Sequence, residues 1–302
     1  METYIKPRLL KPGDTVAIVA PAGVVEREYI EKAVHLFGQW GLKVALGSNL
    51  FARNGIFAGT DNQRLSDLQQ ALDAEEIKAV ICARGGYGML RILDSIHWHK
   101  FLHNPKWVAG FSDITALHAA ILNRGIQSLH SLMPINMANP ASISPDIENL
   151  HRALFHGTLE YKLQPFPQNC TGVEKAFLAG GNLSLLYALA GTSEDIDWKG
   201  KIMFIEEVGE YTYHLDRMMQ SFRLSGRFEG LAGIIVGGLS EMNDEKRPFG
   251  RTPEEIIADA VKGYSFPVAF GFPAGHIATN HPLILGAEVA LEVRADGVSI
   301  KM

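Results

Sequence analysis

Short apolar runs and segments of helical period alternate along the first half of the chain. Thr15–Ala20 (TVAIVA) predicts a buried strand, and Ile30, Ala33, Val34, Phe37 and Trp40 then recur at helical spacing until Gly41 stops the helix. Lys43–Leu46 predicts a second strand, Leu65, Leu68 and Leu72 a second helix, and Ile77–Ala83 a third strand. The glycines of Arg84-Gly85-Gly86-Tyr87-Gly88 follow, and after them an apolar helix through Leu90 and Leu93. Trp107–Phe111 predicts a fourth strand and Asp113–Leu122 a helix with Ile114, Leu117 and Ile121 on one face. Strands that are apolar throughout are buried on both faces. The expected architecture is therefore α/β: a mainly parallel sheet flanked by helices, flavodoxin-like in kind.

The pattern breaks at Asn139–Pro145, where Ser144 and Pro145 read as the N-cap and first position of a helix through Ile147, Leu150 and Leu154. Gly157 ends it. Residues 158–172 are mixed and polar and read as a linker, which divides the chain into an N-terminal domain, 1–157, and a C-terminal one, 173–302. The second half opens on a glycine turn, Gly180-Gly181-Asn182, and a helix through Leu185–Leu189. A strand at Lys201–Ile205, a helix through Leu215, Met218, Met219 and Phe222, and a strand at Leu231–Val236 come next. Thr252-Pro253-Glu254-Glu255 is a capping box with proline at the first helical position. Glu288–Val293 and Val298–Ile300 alternate apolar and polar around Ala295-Asp296-Gly297 and read as a β-hairpin. This half is expected to be a smaller mixed α/β, β-rich domain.

Composition narrows the function classes. In 302 residues the formal net charge is −5, with no basic surplus to neutralise phosphates, so nucleic acid is not an expected partner. The two cysteines, Cys82 and Cys170, make neither a disulfide framework nor a metal motif, and Cys82 lies in an apolar run that suits a buried thiol. The N-terminus shows no charged leader ahead of an apolar stretch, and the run Val16–Val25 is too short to span a bilayer. A cytoplasmic protein without membrane contact is expected.

Four segments could carry chemistry. Gly110-Phe111-Ser112-Asp113-Ile114 joins a strand to a helix, which puts Ser112 at the carboxyl edge of the sheet, where open α/β sheets form ligand crevices. Ser112 there is either a nucleophile on a tight turn or only a helix cap, and the local sequence alone favours the cap. The nucleophile-elbow pattern is matched in part, because Ile114 replaces its last glycine. Ile202–Ile205 is a strand that runs into Glu206 and Glu207, whose side chains point to opposite sides, so one of the two faces any given cleft. Phe270-Gly271-Phe272-Pro273-Ala274-Gly275-His276 presents His276 from a glycine- and proline-punctuated loop. Arg84–Gly88 lacks the spacing of a phosphate-binding loop, and reads either as a tight turn or as a backbone that approaches a substrate closely. His97, His99 and His103 lack carboxylate or cysteine companions for a metal, His118 points away from the Ser112 turn, and His130 is either a cleft or a core histidine.

Taken together these segments resemble the LD-carboxypeptidase family of serine peptidases, family S66. The resemblance spans nearly the whole chain: Lys11-Pro12-Gly13-Asp14, Ala20-Pro21, Phe57-Ala58-Gly59-Thr60-Asp61, Arg84–Gly88, Gly110–Thr115, Gly180–Leu183, Phe204–Glu207 with Asp216-Arg217, and Gly275-His276. It implies a nucleophile at Ser112, a base at His276 and an orienting carboxylate at Glu206, with the nucleophile in one domain and its partners in the other. It also implies a murein tetrapeptide or muropeptide substrate that loses its terminal D-alanine during cell-wall recycling, no metal or organic cofactor, and a homodimer. Backbone N–H groups of Asp113 and Gly86 are the expected oxyanion donors. Arg84 suits the substrate carboxylate, with Tyr87 beside it. Two positions depart from the family pattern: Ala22 stands where a serine is usual after Ala-Pro, and Ile277 where glycine commonly follows the histidine. The competing readings are a same-family immunity peptidase acting on peptide–nucleotide antibiotic conjugates, a peptide-binding module without activity, and a nucleotide-binding flavodoxin-like protein.

Overall fold

In chain order the elements are β1 (Thr15–Val19), α1 (Arg27–Gln39), β2 (Lys43–Leu46), α2 (Asp61–Asp73), β3 (Ile77–Cys82), α3 (His99–His103), β4 (Trp107–Gly110), α4 (Thr115–Asn123), β5 (Ser128–His130) and α5 (Ile143–Phe155). There follow β6 (Glu160–Leu163), β7 (Gly172–Asn182), α6 (Leu183–Leu189), β8 (Lys201–Val208), α7 (Thr212–Leu224), β9 (Gly233–Ser240), α8 (Pro253–Ala260), β10 (Val268–Ala269), β11 (Leu283–Leu285), β12 (Glu288–Arg294) and β13 (Gly297–Lys301). The computed structural model describes residues 3–137, 143–244 and 246–302. It divides into two units, 1–157 with 280–285, and 158–279 with 286–302.

The first unit is built on a six-stranded sheet in the order β11-β5-β4-β3-β1-β2. β2, β1, β3, β4 and β5 are parallel, and β11 pairs antiparallel with β5 at the edge. The order 2-1-3-4-5 is the flavodoxin-like winding, and its crevice is expected at the carboxyl ends of β1 and β3, where the winding reverses. Every residue of β4 and all but Lys78 of β3 are buried, which is why these strands are apolar on both faces. α1 covers the sheet with Ile30, Ala33 and Phe37, and the helix stops at Gly41, whose φ of 75° is open to glycine at little cost. Helix α2 starts at a capping box between Thr60 and Gln63.

The second unit carries a seven-stranded mixed sheet, β10-β9-β8-β7-β12-β13-β6. β7 to β10 run parallel, and β7-β12-β13-β6 antiparallel. The expected hairpin is β12–β13, and the expected capping box holds α8 through Thr252 and Glu255.

Several expectations need correction. Residues 158–172 are not all linker, because β6 lies there and pairs with β13. The chain does not stay in the second unit to its end, since residues 280–285 return to the first and supply β11. Gly180 and Gly181 do not make a turn; they lie inside β7, where a Cβ on Gly180 would stand 1.9 Å from the Phe204 carbonyl oxygen of the neighbouring strand. Gly180 is there for close approach. Instead of one helix through Leu90 and Leu93 there are two three-residue 3-10 turns, Met89–Arg91 and Leu93–Ser95. α5 opens at Ile143, so Ser144 and Pro145 lie inside its first turn, and residues 138–142 of the expected break lie outside the described residues. Proline is tolerated in a first turn because that N–H has no intrahelical acceptor.

Candidate active site

Three loops at the carboxyl edge of the first sheet converge: 20–24 after β1, 83–88 after β3 and 111–114 after β4. Ser112 opens a 3-10 turn, Ser112–Ile114, that leads into α4. Its φ is 65°, a left-handed backbone that a serine adopts only under strain, on the order of 1–3 kcal/mol. The residue that precedes α4 is Ile114, so Ser112 is not its N-cap. Gly85 packs directly on the serine: a Cβ there would stand 2.8 Å from the Ser112 Cβ and 3.0 Å from its Oγ. The Gly85 carbonyl accepts from the Gly23 N–H at 2.8 Å, which joins the β1 and β3 loops. Gly86, with φ 95°, lies over the Gly23 backbone.

Asp113 is buried and its side chain turns back to the glycine loop, where Oδ2 accepts from the Met89 N–H at 2.7 Å. Burial pushes the Asp113 carboxyl up to about 6, against the pull of that N–H and of the Arg64 charge. Arg64, on α2, was not foreseen. Its Nη1 donates to the Pro21 carbonyl at 2.7 Å and to the Gly88 carbonyl at 2.8 Å, and Nη2 pairs with Asp61. Asp61 also holds Arg91 at 2.7 Å. The guanidinium of Arg64 sits 5.0 Å from the Phe57 ring, and Phe57 meets Tyr87 at 5.8 Å. The segment Phe57–Asp61 thus serves as a capping box and a brace for Arg64. Arg84 is exposed and donates to the Val24 carbonyl at 2.9 Å, and Tyr87 is also exposed.

In the second unit the structure brings Glu206 and His276 together. Glu206, fully buried near the end of β8, accepts from His276 Nδ1 at 2.8 Å and from the His276 N–H at 3.3 Å. With Nδ1–H donating to the carboxylate, Nε2 keeps its lone pair and can take up a proton. Burial pulls the His276 pKa down, but the hydrogen bond and charge of Glu206, with Glu207 and Glu241 farther off, overcome it and raise the imidazole above its ordinary value. Room for the pair comes from glycine. Pairing between β8 and β9 slips after Ile205, so that Gly237 and Gly238 stand opposite the single residue Glu206. A Cβ on Gly275, which has φ 108°, would lie 2.6 Å from Glu206 Oε2. Ser240 Oγ donates to the His276 carbonyl at 2.7 Å and fixes the loop.

Glu207 points the other way. It accepts from Asn182 Nδ2, from the Ser184 N–H and Oγ and from the Val208 N–H, at 2.7–3.1 Å, beside the start of α6. Burial still raises its pKa. Its role is to seat α6 on the sheet.

The other candidates are placed as follows. His118 is buried, accepts from Ser128 Oγ and donates to the Gly110 carbonyl, each at 2.9 Å, and burial lowers its pKa to about 4. It ties α4 to β4 and β5. His130 is buried with its ring 5.7 Å from Phe111. The rings of His99 and His103 lie tilted to one another at 4.5 Å within α3, and among the described residues no three ligating side chains group as a metal site. Cys82 is buried, which pushes its thiol up to about 12, and Cys170 is exposed. No helix of the described residues is long and apolar enough to cross a membrane.

The chain is similar to known proteins over most of its length. Residues 16–131 match the model of the LD-carboxypeptidase N-terminal domain and residues 175–291 that of the LD-carboxypeptidase C-terminal domain. A probable murein peptide carboxypeptidase of Bacillus subtilis is 34% identical over 95% of this chain and 91% of its own. The murein tetrapeptide carboxypeptidase of Pseudomonas aeruginosa is 29% identical over 92% of each, and the microcin C7 self-immunity protein of Escherichia coli 24% identical over 96% and 94%. The crystal structure of muramoyltetrapeptide carboxypeptidase from Oxalobacter formigenes superposes with a TM-score of 0.87 at 25% identity, over 95% of this chain and 98% of that one. The chain belongs to the LD-carboxypeptidase family, peptidase family S66.

Proposed function

We propose that this protein is a serine-type LD-carboxypeptidase that releases the terminal D-alanine of a murein tetrapeptide, cleaving it from an L-centred residue. The observation that carries the serine reading is the Ser112 backbone, held at φ 65° at the carboxyl edge of the sheet with Gly85 against it. Strain of this kind persists where function requires it. Within the proposal His276 Nε2 takes the Ser112 proton as Oγ bonds to the carbonyl carbon before D-alanine. The tetrahedral intermediate then expels the amine, which leaves as D-alanine with the proton returned by His276. Water, deprotonated by His276 in its turn, cleaves the acyl-enzyme and restores Ser112. Glu206 holds the imidazole and stabilises its charged form. The N–H groups of Asp113 and Gly86 receive the oxyanion, a role in which one donor is worth about 2.7–4 kcal/mol. Arg84 receives the free carboxylate of the peptide, beside Tyr87. The enzyme acts as a cytoplasmic homodimer that recycles wall peptides.

The deciding test is D-alanine release from the free tetrapeptide by the protein and by Ser112→Ala. Release that collapses in the variant supports the reading; release that survives rejects the serine mechanism. A second reading, hydrolysis of a peptide–nucleotide conjugate, is favoured by one feature. Tyr211 and Tyr213, both exposed, stack at 5.5 Å where β8 passes into α7 and offer a surface for a base. Turnover of an aspartyl-sulfamoyl nucleoside without D-alanine release would select it.

A further inference from the structure

The Gly88–Met89 peptide unit is gripped from both sides. Its carbonyl accepts from Arg64 Nη1 at 2.8 Å, and its N–H donates to Asp113 Oδ2 at 2.7 Å. In a trans peptide these two groups point in opposite directions, so α2 and the Ser112 turn hold the same plane by opposite edges. Both side chains are buried, at 1% exposure each, and both bonds are made away from water. Arg64 reaches its carbonyl only because residue 88 is glycine: a Cβ there would stand 2.5 Å from Nη1, and the φ of 138° is open to glycine alone. The same Nη1 holds the Pro21 carbonyl at 2.7 Å, so the β1 loop is fixed to the same point. Two ion pairs back the guanidinium through Asp61, with Arg64 itself and with Arg91.

We propose that Arg64 and Asp113 are positioning residues that clamp the Gly88–Met89 peptide and thereby fix the Gly85–Gly86 backbone against Ser112. The inference rests on the reading of Ser112 as nucleophile and adds to it how the oxyanion loop is held. The arrangement has a cost that a purely structural device would avoid. A buried carboxylate beside the nucleophile and a buried guanidinium are both taken out of water, and apolar residues would fill their space more cheaply. What they provide is direction. The loop has three glycines, Gly85, Gly86 and Gly88, and its free backbone would otherwise sample many conformations. An oxyanion hole works only if its donors are already in place when charge develops.

The clamp is tested on the full chain with Asp113→Leu, Asp113→Asn, Arg64→Met and Arg64→Lys. Asp113→Leu keeps the bulk and removes the acceptor, whereas Asp113→Asn keeps an oxygen that can accept from Met89. D-alanine release from the tetrapeptide is expected to lose about 100-fold or more in kcat with Asp113→Leu and Arg64→Met, the loss typical of a missing oxyanion donor, with KM within about threefold. Asp113→Asn should recover to within about tenfold of the unaltered protein, and Arg64→Lys should fall between. Amide hydrogen exchange over residues 84–90 reads the clamp without reference to chemistry. Exchange there should quicken at least about tenfold in Asp113→Leu and Arg64→Met while β3 and α4 stay protected. A variant whose β3 and α4 also lose protection has unfolded, and Asp113→Asn and Arg64→Lys then carry the test. Loop exchange that stays unchanged in folded variants overturns the clamp whatever the activity. Faster exchange with unchanged kcat, or a loss confined to KM, overturns its role in positioning. An unaltered protein that releases no D-alanine but shows the exchange pattern rejects the proposed substrate and leaves the clamp standing.

Discussion

Gly85 and Ser112 touch: the space where a Gly85 side chain would begin is filled by the Ser112 Cβ at 2.8 Å and the Phe111 carbonyl oxygen at 3.2 Å. One of these is backbone and the other is anchored on a strained turn, so neither can give way cheaply. Gly85→Ala is therefore expected to cost about 1–3 kcal/mol of stability by overpacking. It should also move Ser112 enough to lower kcat for D-alanine release about 100-fold, since misplacement of 1 Å can cost that much. Urea denaturation and steady-state kinetics on the same preparation check both, and a variant with normal kcat would refute the contact's importance.

The Glu206–His276 pair predicts a pH dependence for activity. In the proposed mechanism His276 is the general base and acts while neutral, and its pKa is raised, so kcat/KM should fall as pH drops through a value above the ordinary 6.5 of histidine. Glu206→Gln removes the charge while burial, which lowers the pKa, remains. The acid limb should move to lower pH, and kcat should fall by up to about 10⁴-fold because the imidazole loses its orienting carboxylate. Stability follows the opposite sign. A raised histidine pKa stabilises the fold below the unfolded value, and that contribution is lost as pH rises through the folded one. An acid limb unmoved by Glu206→Gln would separate the two residues.

His118 sets a second pH response, this time in stability alone. Its folded pKa is about 4 against 6.5 in the open chain, so between these values the unfolded state binds more protons and stability rises with pH. Acidification from 7 to 4.5 should cost about 2 kcal/mol through this one residue, with most of it lost below pH 6. Urea midpoints at the two pH values should differ less in His118→Gln than in the unaltered protein. Equal differences would mean that the acid sensitivity lies elsewhere.

Much of the first sheet was legible because β1, β3 and β4 are apolar but for Thr15 and Lys78, a pattern that survives without knowledge of neighbours. β5 and β11 were not, since three residues each, Ser128–His130 and Leu283–Leu285, are too few to show any period. Ser112, Glu206 and His276 stood out because each ends a strand or leaves a glycine-rich loop. Arg64 and the side chain of Asp113 did not. Both are polar residues in helical or turn segments, and their burial is decided by backbone groups 24 to 43 positions away in sequence. One double glycine misled in a related way. Gly180-Gly181 is punctuation in a linear reading, whereas in the sheet Gly180 admits the carbonyl of a neighbouring strand.

Strain at Ser112 gives the sharpest separation of stability from activity. A serine at φ 65° pays for its Cβ, and glycine does not, although glycine loses more freedom on folding. Left-handed geometry costs a non-glycine residue about 1–2 kcal/mol, against about 0.5–1 kcal/mol for the added entropy of glycine. Ser112→Gly should therefore be as stable as the unaltered protein or up to about 1 kcal/mol more so, whereas Ser112→Ala keeps the strain and gains nothing from it. Both variants lose the hydroxyl, so both should lack D-alanine release above background. Equal melting temperatures for glycine and alanine would mean that the turn is not strained. A glycine variant that melts higher while releasing nothing would show that the fold gives up stability at this position in order to present an oxygen.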